Sequence, residues 1–176
     1  MKYTVIQSPL GPLTALSDGS ALTELWFGDE SARHDASGSE RDDAAPPFDA
    51  VRAQLRAYFD GTLTSFDLPL APSGTEFQTR VWAELGRIPL GITISYGELA
   101  GKLGDPKGSR AVGLANGRNP IAIIVPCHRV IGANGKLTGY AGGIERKIAL
   151  LDFERAVMSS GPVSYEAFAP TEGVAA

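Results

Sequence analysis

A proline- and glycine-rich break at residues 61–75 divides this chain of 176 residues into two halves of opposite charge. The break contains Pro69 and Pro72, and proline is poorly tolerated inside helices and central strands. Residues 1–75 carry 5 Lys/Arg and 11 Asp/Glu, a net charge of −6, whereas residues 76–155 carry 11 and 7, a net charge of +4. A basic half favours a phosphate-bearing partner, and an ordinary solvated surface is the alternative.

The first predicted domain, residues 1–74, combines antiparallel strands with one helix, in a chain long enough for one or two small domains. Short apolar segments separated by Gly/Pro turns predict the strands, and residues 28–47 are polar enough to be a surface loop. Helical spacing of apolar residues, including Tyr58, predicts a helix that Gly61 ends. The predicted elements are strands Tyr3–Gln7, Leu13–Ser17 and Leu22–Phe27, and helix Phe48–Asp60 with Val51, Leu55, Tyr58 and Phe59 on one face.

The second predicted domain, residues 75–158, is mostly helical. Capping boxes begin two helices, one at Thr75 and one at Ser95 that runs to Leu103. Asp105 is the predicted N-cap of the next helix, which runs to about Asn116. The close succession of these last two helices predicts a helix-turn-helix.

Side-chain spacing also predicts which faces of the later helices are buried. After Asp105, the inward residues should be Ala111, Leu114 and Ala115, with Arg110, Gly113 and Gly117 on the opposite side. Asn134-Gly135 predicts a hairpin between Val130–Ile131 and Lys136–Thr138. A last helix over Ile144–Val157 should turn Ile148 and Leu151 inward, and residues 159–176 should form a mobile tail.

The only cysteine in the chain, Cys127, follows an apolar run that predicts a buried strand, Ile121–Val125. Pro126, which separates them, favours a break in the backbone at the end of that strand. A single cysteine excludes an internal disulfide and suits a reducing, cytoplasmic setting. Because free cysteine is often buried as a small apolar side chain, the thiol is either a core residue or a nucleophile.

A nucleophilic cysteine needs a base, since a free thiol has a pKa near ~8.5 and is mostly protonated at neutral pH. His128 is adjacent in sequence, but neighbouring side chains on one strand or helix point apart, so contact requires a sharp turn or a bridging water. A carboxylate would orient the imidazole. The sequence offers Glu145, Asp152 and Glu154, and spacing does not choose among them.

Residue counts disfavour two other kinds of protein. With only His34 and His128 as imidazoles and one cysteine, a Cys/His zinc cluster cannot form, and we predict no metal site. No apolar run reaches the ~18 residues needed to cross a bilayer, and the N-terminus lacks the pattern of a signal peptide. We therefore expect a cytoplasmic protein with no membrane partner.

Taken together, several stretches of the second half resemble the O6-alkylguanine-DNA alkyltransferase family. The active-site motif is Val125-Pro126-Cys127-His128-Arg129-Val130. The other matching stretches are Thr75–Leu85, Ser95–Ala100, Ser109–Gly113, Asn119-Pro120 and Leu137–Gly143. The resemblance covers residues 75–155, and the first half resembles the family's N-terminal domain through the turn Ser8–Leu13.

The resemblance implies an α+β protein, with a ribonuclease-H-like N-terminal α/β domain and a helical C-terminal domain that contains the helix-turn-helix. It implies direct repair of double-stranded DNA, in which an alkylated guanine is flipped out from the minor-groove side. The O6-alkyl group then moves irreversibly to a cysteine, with O4-alkylthymine as a further candidate substrate. Because the thioether product is stable, each molecule should act once, as a monomer and without a cofactor; cooperative binding to DNA is left open.

Carried over by position, the resemblance gives each residue of the catalytic group a role. Cys127 is the alkyl acceptor, His128 the water-mediated base, and Glu154 the carboxylate that polarises the base. Asn119 supports the active-site turn, and Tyr140 donates its hydroxyl to guanine N3.

The remaining residues are expected to contact the base or the DNA. The backbone at Val130 would read the base, and Gly142 would leave space for the alkyl group. Tyr96 would help rotate the nucleotide, and Arg110 would fill the vacated stack. Further DNA contacts are assigned to Ser109, Ala111, Gly113 and Arg129.

Three other functions compete with this one. A damage-binding relative that does not repair should lack the acceptor, and Cys127 is present. A helix-turn-helix regulator needs side chains that read base edges, and the helix Pro106–Asn116 offers few of them. A hydrolase with a Cys/His pair would show a burst followed by steady product formation.

Overall fold

The first half of the chain forms a four-stranded sheet and one helix in the computed structural model, which describes residues 1–29 and 38–168. The elements are β1 (Lys2–Ile6), β2 (Leu13–Ser17), β3 (Leu22–Phe27), β4 (Glu40–Arg41) and α1 (Phe48–Phe59). The strand order is β3-β2-β1-β4, with β4 parallel to β1 and the other pairs antiparallel. The predicted strands and helix are confirmed to within one residue. Strand β4 lies in the predicted loop, of which residues 30–37 are outside the described part.

The second half is mostly helical, so the predicted α+β class is confirmed. Its elements are α2 (Glu76–Leu85), β5 (Ile94–Ser95), α3 (Tyr96–Lys102), α4 (Ser109–Gly117), β6 (Val130–Ile131), α5 (Ile144–Ser160) and α6 (Tyr165–Phe168). Both predicted capping boxes are present, because the Thr75 and Ser95 hydroxyls each accept a backbone N–H three residues on. Strand β6 pairs in parallel with β5, and residues 136–138 do not form the predicted second hairpin strand.

Helix α4 begins later, and buries a different face, than the sequence predicts. Its N-cap is Gly108, because Asp105 closes a turn in which its carbonyl accepts the Gly108 N–H. The buried residues are Val112, Ala115 and Asn116, whereas Leu114 is 63% exposed. The indole of Trp82 on α2 donates to the Ala115 carbonyl at 2.9 Å. The helix is therefore rotated by about one residue from the predicted orientation, so that polar Asn116 faces inward.

Helix α5 also buries polar residues that the apolar pattern does not indicate. Leu151 is inward as predicted, but Ile148 is 41% exposed. Lys147 and Glu154, two turns apart, are both fully buried instead. The inward face of α5 therefore carries two charged groups as well as apolar side chains.

A single hydrophobic core runs through both halves of the chain. Leu22 of β3 pairs with Leu70 of the break at residues 61–75 (the linker), and Leu25 pairs with Ile121 of the second half. The ring of Phe59 on α1 stacks on Phe153 of α5, with centroids 6.4 Å apart. The two halves therefore hold each other in place along their shared core.

The segment expected to be a mobile tail begins with ordered structure. Helix α5 continues to Ser160, and α6 places Tyr165 in the core, with its ring 5.8 Å from Phe59 and 5.3 Å from Phe153. Burial of one aromatic ring fixes this stretch, which sequence periodicity does not reveal. Residues 169–176 lie outside the described part. Within residues 1–29 and 38–168, no helix has both the length and the apolar character to cross a membrane.

Replacing Tyr165 by alanine should lower the free energy of unfolding by about 3 kcal/mol, because a buried ring is removed from an aromatic cluster. Urea unfolding monitored by circular dichroism measures the change. The neighbouring exposed residue is the control, and Glu166→Ala should stay within ~0.5 kcal/mol of the parent chain. A loss as small as that of Glu166→Ala would mean that α6 contributes nothing to folding.

Candidate active site

The apolar run before Cys127 forms a buried turn, not the strand that the sequence predicts. The Asn119 side chain crosses this turn, donating to the Ile121 carbonyl at 3.2 Å and the Val125 carbonyl at 2.8 Å. Its oxygen accepts the Ile121 N–H at 3.0 Å. Ile123 sits at a φ of 69°, a conformation that β-branched residues rarely adopt. Beyond the bridge from Ile121 to Leu25 of β3, the amide of Asn119 therefore holds the backbone of this turn, in keeping with its predicted supporting role.

Cys127 opens a short 3₁₀ turn, Cys127–Arg129, at the end of this segment. The cysteine is 6% exposed, and its carbonyl accepts from the Asn116 side chain at 3.4 Å. Burial raises the pKa of the Cys127 thiol, while a hydrogen bond from Asn119 and the charge of Lys147 act in the opposite direction. The thiol is therefore protonated near neutral pH in this state, and an ionised sulfur requires a base to remove the proton.

His128 makes a buried contact with Glu154. Its Nε2 lies 2.8 Å from Glu154 Oε1, and both side chains are fully buried. Because a carboxylate only accepts hydrogen bonds, Nε2 carries the proton and Nδ1 is the basic nitrogen. Burial lowers the pKa of His128 despite the opposing charge of Glu154, so the ring is neutral at pH 7. Within the described part of the chain, Nδ1 has no hydrogen-bond partner.

The Glu154 carboxylate is surrounded by donors from several elements. Arg129 donates from Nε to Oε2 at 2.9 Å and from Nη2 to Oε1 at 2.8 Å, and the Gly91 N–H donates to Oε2 at 3.2 Å. The hydroxyl of Tyr58 on α1 donates to Oε1 at 2.8 Å. Burial by itself would raise the pKa of the Glu154 carboxyl, but its contacts with His128 and Arg129 lower it well below its usual range. Of the three candidate carboxylates, Glu154 is the one that contacts the histidine.

The position of Arg129 contradicts its expected role in DNA contact. Its guanidinium is 7% exposed, and besides binding Glu154 it donates to the Ile88 carbonyl at 2.6 Å. Arg129 is buried because the buried carboxylate of Glu154 requires a cation as its partner.

Two cavities that share lining residues lie near Cys127. The larger, about 630 Å³, is lined on one side by α3 and α4 and on the other by the loop that carries Tyr140. The smaller, about 20 Å³, lies at Cys127 and has room for about one water molecule. Both are lined by Gly117, Gly139, Tyr140 and Ala141. The predicted DNA-side residues Tyr96, Ser109, Arg110 and Gly113 line the larger cavity, and Ala111 is exposed on α4.

Tyr140 and Gly142 line the smaller cavity together with Cys127. The Tyr140 hydroxyl is buried, and no described residue offers it a hydrogen-bond partner. A side chain at Gly142 would meet the rings of Phe27 and Tyr140 at 2.6 and 2.7 Å, so only a glycine fits between these rings. The Val130 carbonyl accepts from Lys147 Nζ at 2.6 Å, which leaves one lone pair for a base.

Lys147 and Tyr58 belong to the site, but neither is among the site residues predicted from the sequence. Lys147 is fully buried and also donates to the Thr138 carbonyl at 3.1 Å, and burial lowers its pKa. In the sequence it follows Arg146 and has the pattern of a solvated helix residue, while Tyr58 fits an apolar stripe. Within residues 1–29 and 38–168, no group of three His, Cys, Asp or Glu side chains is placed to hold a metal ion.

Two family models match the chain, one in each half. Residues 1–72 match the ribonuclease-like domain of the 6-O-methylguanine DNA methyltransferases, and residues 76–156 match the DNA-binding domain of the same family. The matched halves correspond to the sheet with α1 and to the helical part that carries Cys127.

Curated relatives and solved structures agree with these matches. The methylated-DNA–protein-cysteine methyltransferase of Mycobacterium tuberculosis is 55% identical over 153 residues, 87% of this chain and 92% of its own length. That of Methanosarcina acetivorans is 53% identical over 156 residues, 88% and 98% of the two chains. The crystal structure of Mycobacterium tuberculosis O6-methylguanine methyltransferase superposes with a TM-score of 0.82 at 54% identity, covering 88% of this chain and 93% of that one. Mycobacterium tuberculosis OGT in complex with DNA gives 0.83 at 50% identity, covering 95% and 98%.

The fold, the family matches and the relatives define an enzyme that moves a methyl group from methylated DNA to a cysteine of the protein. The chain belongs to the methylated-DNA–protein-cysteine methyltransferase family, and the resemblance inferred from its motifs is confirmed.

Replacing Glu154 by glutamine should lower the free energy of unfolding at pH 7 by about 3–5 kcal/mol, because the buried Arg129 charge loses its partner. The lowered pKa of Glu154 means that its ionised form stabilises the fold above its usual pKa of ~4.3, and this contribution is lost as the pH falls further. The deficit of Glu154→Gln should therefore shrink below about pH 4. Urea titrations across this range measure it, and a deficit independent of pH would contradict the ion-pair assignment. Asp152→Asn, on an exposed residue of α5, is the control.

Proposed function

We propose that the protein repairs double-stranded DNA by moving the alkyl group of O6-alkylguanine to Cys127 in one irreversible turnover. The observation that carries the proposal is the placement of the single thiol on a small cavity that shares lining residues with a larger one beside α4. A bond forms between Sγ and the alkyl carbon while the bond from that carbon to guanine O6 breaks. The electron pair goes to the guanine, which takes a proton from Tyr140, and the proton that His128 removed from the thiol restores the tyrosine hydroxyl. The chemistry needs Cys127 as a free thiol, which suits the reducing cytoplasm.

Removal of the thiol proton is the proposed task of His128. Its basic Nδ1 has no partner among the described residues, and burial lowers the ring pKa so that the neutral form prevails at pH 7. Because no direct hydrogen bond joins the described Cys127 and His128 side chains, a water molecule is the proposed link between them. Glu154 holds the ring and stabilises the charge that it gains.

Tyr140 is the proposed proton donor to the departing guanine. Burial raises the pKa of its hydroxyl well above the usual value, so it enters the reaction protonated. The hydroxyl lies in the wall between the two cavities and is free to bond to a base. Since the cavity at Cys127 holds about one water molecule, the loop 139–142 must shift when a base enters.

Access of a paired guanine to Cys127 requires that the base leave the duplex. Tyr96 and Ser109 line the larger cavity, where a flipped nucleotide would turn, and Arg110 sits at its rim on α4. The flat guanidinium of Arg110 can stack in the gap that the base leaves. Small residues on this face, including Ala111 and Gly113, permit close approach to a minor groove.

Incubation with duplex DNA carrying O6-methylguanine should raise the intact mass of the protein by one methylene, with peptide mapping placing the change at Cys127. Cys127→Ala should show no transfer and keep its affinity for the duplex, because only the acceptor atom is removed. A modified Cys127→Ala protein, or a wild-type protein that clears lesions without gaining mass, would refute the assignment. A duplex carrying O4-methylthymine tests the further substrate in the same assay.

Arg110→Ala should slow transfer from duplex O6-methylguanine about tenfold and leave reaction with free O6-benzylguanine nearly unchanged, because only the duplex pays the cost of unstacking. Single-turnover rates with both substrates measure the difference. Arg87→Ala is the matched control, because it removes an exposed arginine from the turn that follows α2. Equal losses on the two substrates would count against a role in filling the stack.

A further inference from the structure

Tyr58 connects the first half of the chain with the catalytic group of the second. We propose that it is a positioning residue for alkyl transfer. Its buried hydroxyl holds the Glu154 carboxylate in place and weakens the attraction of that carboxylate for the imidazole proton of His128. The inference rests on the proposed function, because it assumes that His128 serves as the base. It assigns to the acidic first half a part in the chemistry beyond structural support.

Three donors converge on the same carboxylate oxygen. Glu154 Oε1 lies 2.8 Å from each of Tyr58 Oη, His128 Nε2 and Arg129 Nη2. A carboxylate oxygen has about two lone pairs, so these donors share its electron density. Any rotation of the carboxylate that lengthened the bond to Tyr58 would also disturb the bond that orients the imidazole.

The position of the hydroxyl is set by aromatic packing around the ring of Tyr58. This ring is 1% exposed and makes edge or tilted contacts with Phe59 at 5.1 Å, Phe66 at 5.5 Å and Phe153 at 5.8 Å between centroids. Phe59 lies on α1, Phe66 in the linker and Phe153 on α5. The hydroxyl therefore reaches Glu154 only when the two halves are docked as observed.

The hydroxyl also tunes the charge that His128 meets. Burial and the neighbouring Glu154 charge raise the pKa of Tyr58 well above its usual value, so it remains a donor throughout the working pH range. By sharing Oε1, it weakens the attraction of the carboxylate for the imidazole proton. Without it, His128 should stay protonated to higher pH and serve as a base over a narrower range. The other titratable or charged groups that face this pair are Arg129, Lys147 and Tyr140.

Tyr58→Phe removes the hydroxyl and keeps the ring, which makes it the informative variant. Its rate of Cys127 alkylation by free O6-benzylguanine, measured from pH 5 to 9, should fall about tenfold at pH 7. The rate should rise with pH on the acid side of this profile (the acid limb), and the midpoint of that rise should move to higher pH. Affinity for duplex DNA should not change. Tyr165→Phe is the matched control, since it removes a hydroxyl from the same aromatic cluster without a contact to Glu154. The control should keep the parental rate and pH profile.

Several outcomes would overturn the proposal. A Tyr58→Phe profile that superposes on that of the parent chain would do so, as would equal slowing of both variants with no shift along the pH axis. If Tyr58→Phe does not fold, Phe66→Leu loosens the ring while keeping the hydroxyl, and it should shift the acid limb in the same direction; an unshifted limb refutes the inference. A parent chain that is not alkylated at Cys127 would instead refute the proposed function.

Discussion

The buried carboxylate of Glu154 is the group on which the arrangement of the site depends. Removing a charge from water costs several kcal/mol even after the protein relaxes, so such a group persists only when strong donors surround it. Here the donors come from α1, from the backbone at Gly91, and from His128 and Arg129 in the turn after Cys127. Each element is therefore held at a fixed distance from α5. The same contacts that compensate for burial also fix the imidazole beside the thiol.

The short-range features of the fold could be predicted because each has a local physical cause. The capping boxes at Thr75 and Ser95 use side-chain and backbone groups within four residues, so their sequence signature suffices. The strands β2 and β3 are marked by apolar residues between Gly/Pro turns. The sequence also points to Cys127 as the candidate nucleophile, because it is the only thiol and stands within a specific motif.

The features that could not be predicted depend on contacts between distant parts of the chain. The run Ile121–Val125 has the apolar character of a strand, but the crossing amide of Asn119 and backbone hydrogen bonds within the run hold it as a turn. Arg129 lies within the reactive motif and resembles a DNA contact until Glu154, 25 residues later, is seen to need a cation. Physical reasoning from the sequence left three carboxylates open as partners of His128. Of these, Glu154 lies on the buried face of α5, which also carries Lys147.

The charge balance of the buried group explains why Cys127 can be both protonated at rest and reactive. Arg129 and Lys147 are two buried cations, whereas Glu154 is the one buried carboxylate of the described chain. Burial opposes ionisation of the thiol, and the charge of Lys147 favours it. Passing the thiol proton to His128 would leave the net charge of this group unchanged, with Lys147 stabilising the thiolate and Glu154 stabilising the imidazolium. Burial therefore keeps the sulfur protonated at rest, while the charge of Lys147 lowers the cost of ionising it.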